Sequence, residues 1–209
     1  MIASYKELRF YIMADRMMNR GYFTPPLLKR FVHFVRPDYI ILYLYHMRCY
    51  SYYVNSKRGA FKKVLSYYHK YFFLKYGLKC GYSIGADCFG YGLTLLHYGT
   101  IVIGSDNRIG NYSIIFPSTC IVQNASTIGE SFFMGHGSII SKRVVLGDNV
   151  SLAAGSVLNH SYSAGNVTLA GSPASAKKQS EAWYLGAWDN SLWKERVKMV
   201  EKLKADIGI

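Results

Sequence analysis

The chain has 209 residues, of which 50% are hydrophobic and 18% are charged, a balance that excludes an intrinsically disordered protein. The formal net charge of +13 is unevenly spread, because residues 1–83 hold 15 Lys or Arg against 3 acidic residues, whereas residues 84–170 hold 3 against 4. This asymmetry predicts two structural units with different surfaces.

Targeting signals and cysteine motifs are not evident. The four cysteines form no CxxC pair, so neither a disulfide framework nor a structural zinc site is indicated. The N-terminus has no charged region followed by an apolar run, and we expect no signal peptide. The most apolar stretch, 39–54, is too short to span a bilayer and carries Arg48 and His46. The expected location is the cytoplasm, with the inner face of the membrane as an alternative.

Residues 1–80 predict a basic, Tyr-rich α-helical region. Apolar residues recur at three-and-four spacing over 5–18, 26–35 and 61–76, with Lys and Arg between them. Breaks are expected at 24–26 and 55–59. The region is expected to pack as a structural cap, to contact a membrane surface peripherally, or to attract an acidic polysaccharide or a lipid-linked phosphate. No recognition motif supports nucleic acid as a partner.

From Ile84 onwards an aliphatic residue recurs every six positions, usually followed by a small one. A six-residue period is typical of hexapeptide repeats, which coil into a parallel β-helix with three faces and about 18 residues per turn. We predict about four turns within an 81–175 domain, followed by a 176–209 helical tail. The repeat positions are Ile84, Gly90, Leu96, Ile103, Ile109, Ile115, Ile121, Ile128, Met134, Ile140, Leu146, Leu152 and Leu158.

Three motifs in this domain carry a family resemblance. Residues 92–103, GLTLLHYGTIVI, resemble the active-site coil of serine acetyltransferases, and more closely that of O-acetyltransferases from bacterial surface-polysaccharide clusters. Residues 152–157, LAAGSV, and 170–174, AGSPA, resemble two further motifs of the same hexapeptide-repeat acyltransferases. The resemblance implies a left-handed parallel β-helix, a homotrimer, acetyl-CoA as acyl donor and no metal.

His97 is the candidate general base. It follows Leu96 where the six-residue register takes up an extra residue, and a bulge there would turn a side chain outwards. By the resemblance, a neutral imidazole at this position takes the proton of an acceptor hydroxyl. Serine acetyltransferases orient this histidine with an aspartate fifteen residues upstream, where this chain has Tyr82. Asp87 is the nearest remaining carboxylate and a candidate partner, with a backbone carbonyl as the alternative. A backbone N–H near Gly99, or on the neighbouring chain, would stabilise the oxyanion.

The resemblance also assigns the donor site, which is expected in a groove between subunits. One set of residues would line the pantetheine arm: His136, Ala154, Asn159 and His160. A second set would lie near the adenine and the phosphates: Gly171, Ser172, Lys177 and Lys178.

The expected function is acetyl transfer from acetyl-CoA to a sugar hydroxyl of a surface polysaccharide or its precursor. Absence of the usual aspartate favours a sugar over free serine. Three alternatives are a serine O-acetyltransferase, a non-catalytic β-helix scaffold in a glycan synthase complex, and a zinc enzyme. The zinc site is disfavoured because His97, His136 and His160 are 39 and 24 residues apart.

Overall fold

A computed structural model describes residues 2–56, 59–186 and 191–209. In these ranges four helices precede a β-helix and a fifth follows it, as predicted for the two ends of the chain. Part of the expected break at 55–59 lies outside the described residues. Within the described residues, no helix combines the length and the apolar character needed to cross a membrane. The helices are α1 (Tyr5–Arg20), α2 (Leu27–Val35), α3 (Tyr39–Asn55), α4 (Ala60–Cys80) and α5 (Ser191–Asp206).

Between α4 and α5 the described part of the chain forms thirteen short strands. Most have two or three residues, as expected where the chain bends at a corner after every face of a coil. They are β1 (Tyr82–Ile84), β2 (Ile101–Ile103), β3 (Arg108–Ile109), β4 (Ile114–Ile115), β5 (Thr119–Ile121), β6 (Thr127–Ile128), β7 (Phe133–Met134), β8 (Ile139–Ile140), β9 (Val145–Leu146), β10 (Ser151–Leu152), β11 (Val157–Leu158), β12 (Val167–Gly171) and β13 (Ala174–Gln179).

The strands form three sheets, one for each face of the coil. Sheet A has the order β1-β2-β5-β8-β11, sheet B has β3-β6-β9, and sheet C has β4-β7-β10-β12 with β13 added antiparallel at its end. Ile101 pairs in parallel with Tyr82 and with Thr119, one turn before and one turn after it. The predicted β-helix is confirmed. Its five-stranded sheet A gives about five turns, where about four were predicted.

The interior is a stack of aliphatic side chains from successive turns. The repeat phase was wrong at two positions: Phe89 and Leu95 lie in this core where Gly90 and Leu96 were expected, and Leu96 is half-buried against a second cluster on the outside of sheet C. Thr94 pairs with Ile114, so Leu95 stacks on Ile115 and Leu96 faces outwards. The corner that follows Leu95 takes up two extra residues, and the corner between Ile84 and Phe89 is one residue shorter than the repeat.

Asn19 of α1 closes the open edge of the first turn. Its side-chain amide donates to the Leu93 carbonyl over 2.7 Å, and its oxygen accepts from the Leu95 N–H over 2.8 Å. The amide therefore occupies the place of a neighbouring strand and satisfies backbone groups that would otherwise be buried without partners. The segment that leads into His97 is held by these two bonds.

A buried ion pair completes this cap. Arg48 of α3 binds Asp15 of α1 over 2.7 Å, and both side chains are 2% exposed. The same guanidinium donates to the carbonyls of Phe89 and Gly90 over 2.7 and 2.6 Å, while Asp15 accepts from the Leu93 N–H over 3.0 Å. Every charged group thus has several partners, which is the condition for a buried ion pair to be tolerated. The predicted role of 1–80 as a structural cap is realised by α1 and α3.

The outer faces of the three sheets differ in what covers them. Sheet C is covered by residues of α1, α5 and the segment containing Trp183, which form the second hydrophobic cluster. Sheet B presents mainly polar side chains, among them Arg108 and Thr127. Sheet A presents an apolar row whose central members, Val102 and Ile139, are 40% and 37% exposed. This row is an uncovered apolar strip along the β-helix.

Candidate active site at the His97 corner

The chain turns from sheet C to sheet A once in every turn, and His97 lies at the first of these corners. The stacking places Pro117, His136 and Ala154 at the same corner of the following turns, and Gly171 at the end of this column, where β12 folds back into β13. Backbone bonds connect the layers, since the Gly137 N–H donates to the Pro117 carbonyl over 3.2 Å and the Gly155 N–H to the His136 carbonyl over 2.8 Å. We refer to this column, His97, Pro117, His136, Ala154 and Gly171, as the His97 corner.

Two exposed imidazoles stand on this corner. The ring centroids of His97 and His136 are 6.4 Å apart, although 39 residues separate them in the chain. Phe116 contributes a third ring, 4.5 Å from His136 and 6.4 Å from His97. Among the residues that the structure describes, neither imidazole has a hydrogen-bond partner. Both rings are thus presented to the solvent side of the corner, where a substrate could reach them.

Tyr82 holds the backbone of His97. Its hydroxyl donates to the His97 carbonyl over 2.6 Å, and the ring is buried edge-on against Tyr43. Burial raises the pKa of Tyr82 above its ordinary value, so the hydroxyl stays protonated and remains a donor. The tyrosine at the position of the absent aspartate therefore supports the main chain of His97 and not its imidazole.

Gly99 is the residue whose backbone allows the corner to close. Its φ of 141° is rarely adopted by other residues, and a Cβ there would lie 2.8 Å from Cβ of Pro117. The Gly99 N–H donates to the Cys80 carbonyl over 2.9 Å. The Gly99 N–H thus has its partner within the fold. An oxyanion donor near Gly99, or on the neighbouring chain, stays a prediction.

Asp87 lies at a different corner, between β1 and Phe89. Its carboxylate accepts a short hydrogen bond from the Ser51 hydroxyl and one of 2.9 Å from the Asn55 amide, both from α3. The predicted role of Asp87 as the partner of His97 is corrected: this carboxylate fastens α3 to the first turn. Asp87 is close to His97 in sequence, but a corner of the coil separates the two residues in the structure.

The predicted donor-site residues divide into three groups. His136, Ala154 and Gly171 join His97 at one corner, and Ser172 follows them, exposed, at a cis peptide bond with Pro173. Lys177 and Lys178 lie exposed on β13.

Asn159 and His160 follow β11 at the next corner of the coil. One His160 ring nitrogen lies 2.7 Å from the Asn159 side-chain oxygen, and the other lies 2.8 Å from the Tyr162 hydroxyl. Within one chain these two residues are not part of the His97 corner, and their place in a groove between subunits stays a prediction. They could share a groove with it only if neighbouring subunits contribute different corners.

Two of the surrounding residues escaped the sequence reasoning. Phe116 has no distinguishing motif, and Asn19 lies in a helix far from the repeats. Only Tyr82 carried a signal, namely its position fifteen residues before His97.

As for metals, the described residues contain no group of three His, Cys, Asp or Glu side chains placed to hold an ion.

Comparisons with known proteins give the fold. No protein-family model matches the chain. A serine acetyltransferase (CysE) from Neisseria gonorrhoeae superposes with a TM-score of 0.61 at 18% identity, covering 85% of this chain and 69% of that one. A serine acetyltransferase from Brucella abortus gives 0.57 at 19%, covering 84% and 69%. A serine acetyltransferase in complex with CoA gives 0.56 at 17%, covering 81% and 68%. The chain therefore has the β-helix fold of serine acetyltransferases, with helices at both ends.

One curated sequence relative adds a local match. The bifunctional protein GlmU of Stenotrophomonas maltophilia is 36% identical over 76 residues. This match covers 36% of the chain and 17% of the length of that relative. The likeness is thus confined to a segment of this chain and a small part of GlmU.

Proposed function

We propose that the chain is an acetyl-CoA-dependent O-acetyltransferase whose acceptor is a sugar hydroxyl of a surface polysaccharide or of its precursor. The observation that carries the proposal is the His97 corner, where two exposed imidazoles lie in one column with small residues of the neighbouring turns. Acyltransferase activity is also supported by the serine acetyltransferase fold, and use of CoA by the neighbour that was solved with CoA.

In the proposed reaction His97 accepts the proton of the acceptor hydroxyl as its oxygen attacks the thioester carbonyl. The tetrahedral intermediate then collapses, the C–S bond breaks, and the proton returns to the CoA sulfur. The pantetheine arm would run along the His97 corner past His136, Ala154 and Gly171, with Ser172, Lys177 and Lys178 towards the adenine and the phosphates. No covalent acyl-enzyme is required.

The proposal includes a homotrimer. The uncovered apolar row on sheet A, with Val102 and Ile139, borders the His97 corner and supports packing of a neighbouring subunit there. Such packing would enclose the two histidines in a groove and bring another corner of the neighbour, with its own Asn159 and His160, towards them. An oxyanion donor would then come from the neighbouring chain.

A serine O-acetyltransferase is the second candidate, and the solved neighbours favour it as much as they favour the sugar. Against it stands Tyr82, which replaces the expected aspartate. A third candidate, a non-catalytic scaffold in a synthase complex, predicts no binding of acetyl-CoA at all.

The experiment that decides among these follows CoA release from acetyl-CoA with L-serine, or with an oligosaccharide of the surface glycan, as acceptor. We expect release with the glycan, and its loss in His97→Ala by a factor of about 10² or more. Thr127→Ala, on the outer face of sheet B, is the control and should keep full activity. Turnover with serine alone would select the second candidate, and failure of acetyl-CoA to bind in calorimetry would select the scaffold.

A further inference from the structure

Helix α2 exposes an apolar surface that the rest of the fold leaves uncovered. None of its nine residues is buried, although six of them are large and apolar. Successive residues advance by about 100° around a helix, so these six fill one continuous arc while Lys29, Arg30 and His33 fill the other. The apolar residues are between 48% and 85% exposed: Leu27, Leu28, Phe31, Val32, Phe34 and Val35.

The charges around this helix have one sign. Arg16, Arg20, Lys29, Arg30 and Arg36 lie between Asp15 and Asp38, and no acidic residue lies among them. Asp38 is itself paired with Arg20 over 2.9 Å. The surface therefore combines an apolar arc with basic flanks, which is the arrangement of helices that lie in the interface of anionic bilayers.

We propose that α2 docks the protein to a membrane containing anionic lipid, with its apolar arc in the acyl boundary and Lys29, Arg30 and Arg36 among the phosphates. A bilayer suits this surface because a single convex helix offers no groove for a protein segment. A second copy of the chain suits it less, because self-pairing through α2 would bring like charges together without acidic partners.

A second apolar surface lies on α4 and has the same character. Phe61, Tyr71, Leu74 and Leu78 are at least 54% exposed. Lysines are interspersed along the same helix, and Lys75 and Lys79 are placed over aromatic rings. An exposed aromatic and basic helix of this kind is consistent with a bilayer as the common partner.

The position of α2 connects the docking surface to the His97 corner. Asp38, three residues after α2, binds Arg20 of α1 over 2.9 Å. The residue before Arg20, Asn19, holds the Leu93 carbonyl and the Leu95 N–H, just ahead of His97. A bilayer in contact with α2 would thus hold a lipid-linked acceptor close to the proposed base. This last step rests on the proposed function, whereas membrane docking by α2 does not.

Vesicle flotation of the full chain without acetyl-CoA tests the docking. We expect binding to phosphatidylcholine vesicles that contain phosphatidylglycerol, weaker binding to pure phosphatidylcholine, and weakening by salt. Phe31→Ser with Phe34→Ser should lower vesicle affinity on the order of tenfold or more. Leu192→Ser, which removes an exposed leucine from α5, is the matched control and should bind like the parent.

The charge component is tested separately by Lys29→Gln with Arg30→Gln. This variant should lose most of the preference for phosphatidylglycerol, whereas Lys202→Gln on α5 should keep it. Three results would overturn the proposal: no binding of the parent chain to anionic vesicles, equal binding of the phenylalanine variant, or a fall in oligomer mass in that variant, which would assign the arc to a second copy. CoA release with a soluble acceptor should be unchanged in the α2 variants, so failure of docking is distinguishable from failure of the acetyl transfer.

Discussion

The hydroxyl of Tyr82 donates a 2.6 Å hydrogen bond to the carbonyl of His97, fifteen residues later. The bond joins the first strand of sheet A to the corner at which the chain returns to that sheet. Two further contacts support the same corner: the Gly99 N–H donates to the Cys80 carbonyl, and Gly81, which follows α4, packs against Gly99. The main chain of His97 is therefore fixed by the fold, while its ring stays open to the solvent.

Tyr82→Phe should weaken this support without removing the imidazole. We expect a loss of about 1 kcal/mol in the free energy of unfolding, because the buried phenol hydroxyl and its carbonyl partner lose their bond. We also expect kcat to fall several-fold with little change in KM for acetyl-CoA. Urea unfolding and steady-state kinetics measure the two effects. An unchanged kcat would show that the bond serves stability alone.

His136→Ala should separate donor binding from proton transfer. If the pantetheine arm passes His136, its loss should raise KM for acetyl-CoA about tenfold and lower kcat much less than His97→Ala does. Isothermal titration with CoA gives an independent reading. Equal losses of kcat in the two variants would instead assign the two histidines to one catalytic pair.

Asp15→Ala should destabilise the N-terminal cap strongly. It would leave the Arg48 guanidinium buried without its counter-ion, at a cost of about 3–5 kcal/mol in unfolding free energy.

Asn19→Ala should lower the free energy of unfolding by about 1–3 kcal/mol, because the Leu93 carbonyl and the Leu95 N–H lose their partners. Chemical denaturation measures both. Losses below 1 kcal/mol for Asp15→Ala would mean that water replaces the carboxylate.

Stability should fall in mild acid because of a buried histidine pair. Nδ1 of His46 lies 3.0 Å from Nδ1 of His69 between α3 and α4. Burial lowers the pKa of His46 from 6.5 to about 4, and the nearby His69 contributes a smaller part of this shift. Between pH 6.5 and pH 4 His46 is protonated in the unfolded chain but neutral in the folded chain. The stability that the folded state has at neutral pH is therefore fully present above pH 6.5 and is partly lost as the pH falls towards 4. The loss levels off below that pH, where both states are protonated.

The measurement is the unfolding midpoint between pH 7 and pH 4. Replacing His46 and His69 by phenylalanine removes both imidazoles while keeping ring-sized side chains between the helices. The double variant should show a shallower decline than the parent, since carboxylates contribute alike to both proteins. Parallel profiles would exclude the histidine pair as the cause.

Ile139→Lys should break the proposed trimer. It places a charge in the uncovered apolar row of sheet A, where a neighbouring subunit would have to bury it. Val145→Lys is the matched control, because Val145 is similarly exposed, at 45%, but lies on sheet B. Light scattering after gel filtration should report monomers for the first variant and the parent mass for the second. The opposite result would move the interface to sheet B.

The β-helix, its helical ends and the exposure of His97 could be predicted from the amino-acid sequence alone. A six-residue period requires three short faces, and a repeat at every face leaves little freedom in where the corners fall. Even so, the period did not distinguish Leu95 from Leu96, because corners accommodate extra residues without disturbing the strands on either side of them.

Which residues meet at the His97 corner depends on contacts that form only in the folded chain. His136 joined His97 through stacking of turns, and Asp87 was taken up by Ser51 and Asn55 of α3. Asn19 and Arg48 reached the first turn from helices that carry no repeat. Each of these contacts depends on how many residues every turn contains and on how the N-terminal helices dock. Those quantities are set by packing across the whole chain, and a local pattern does not contain them.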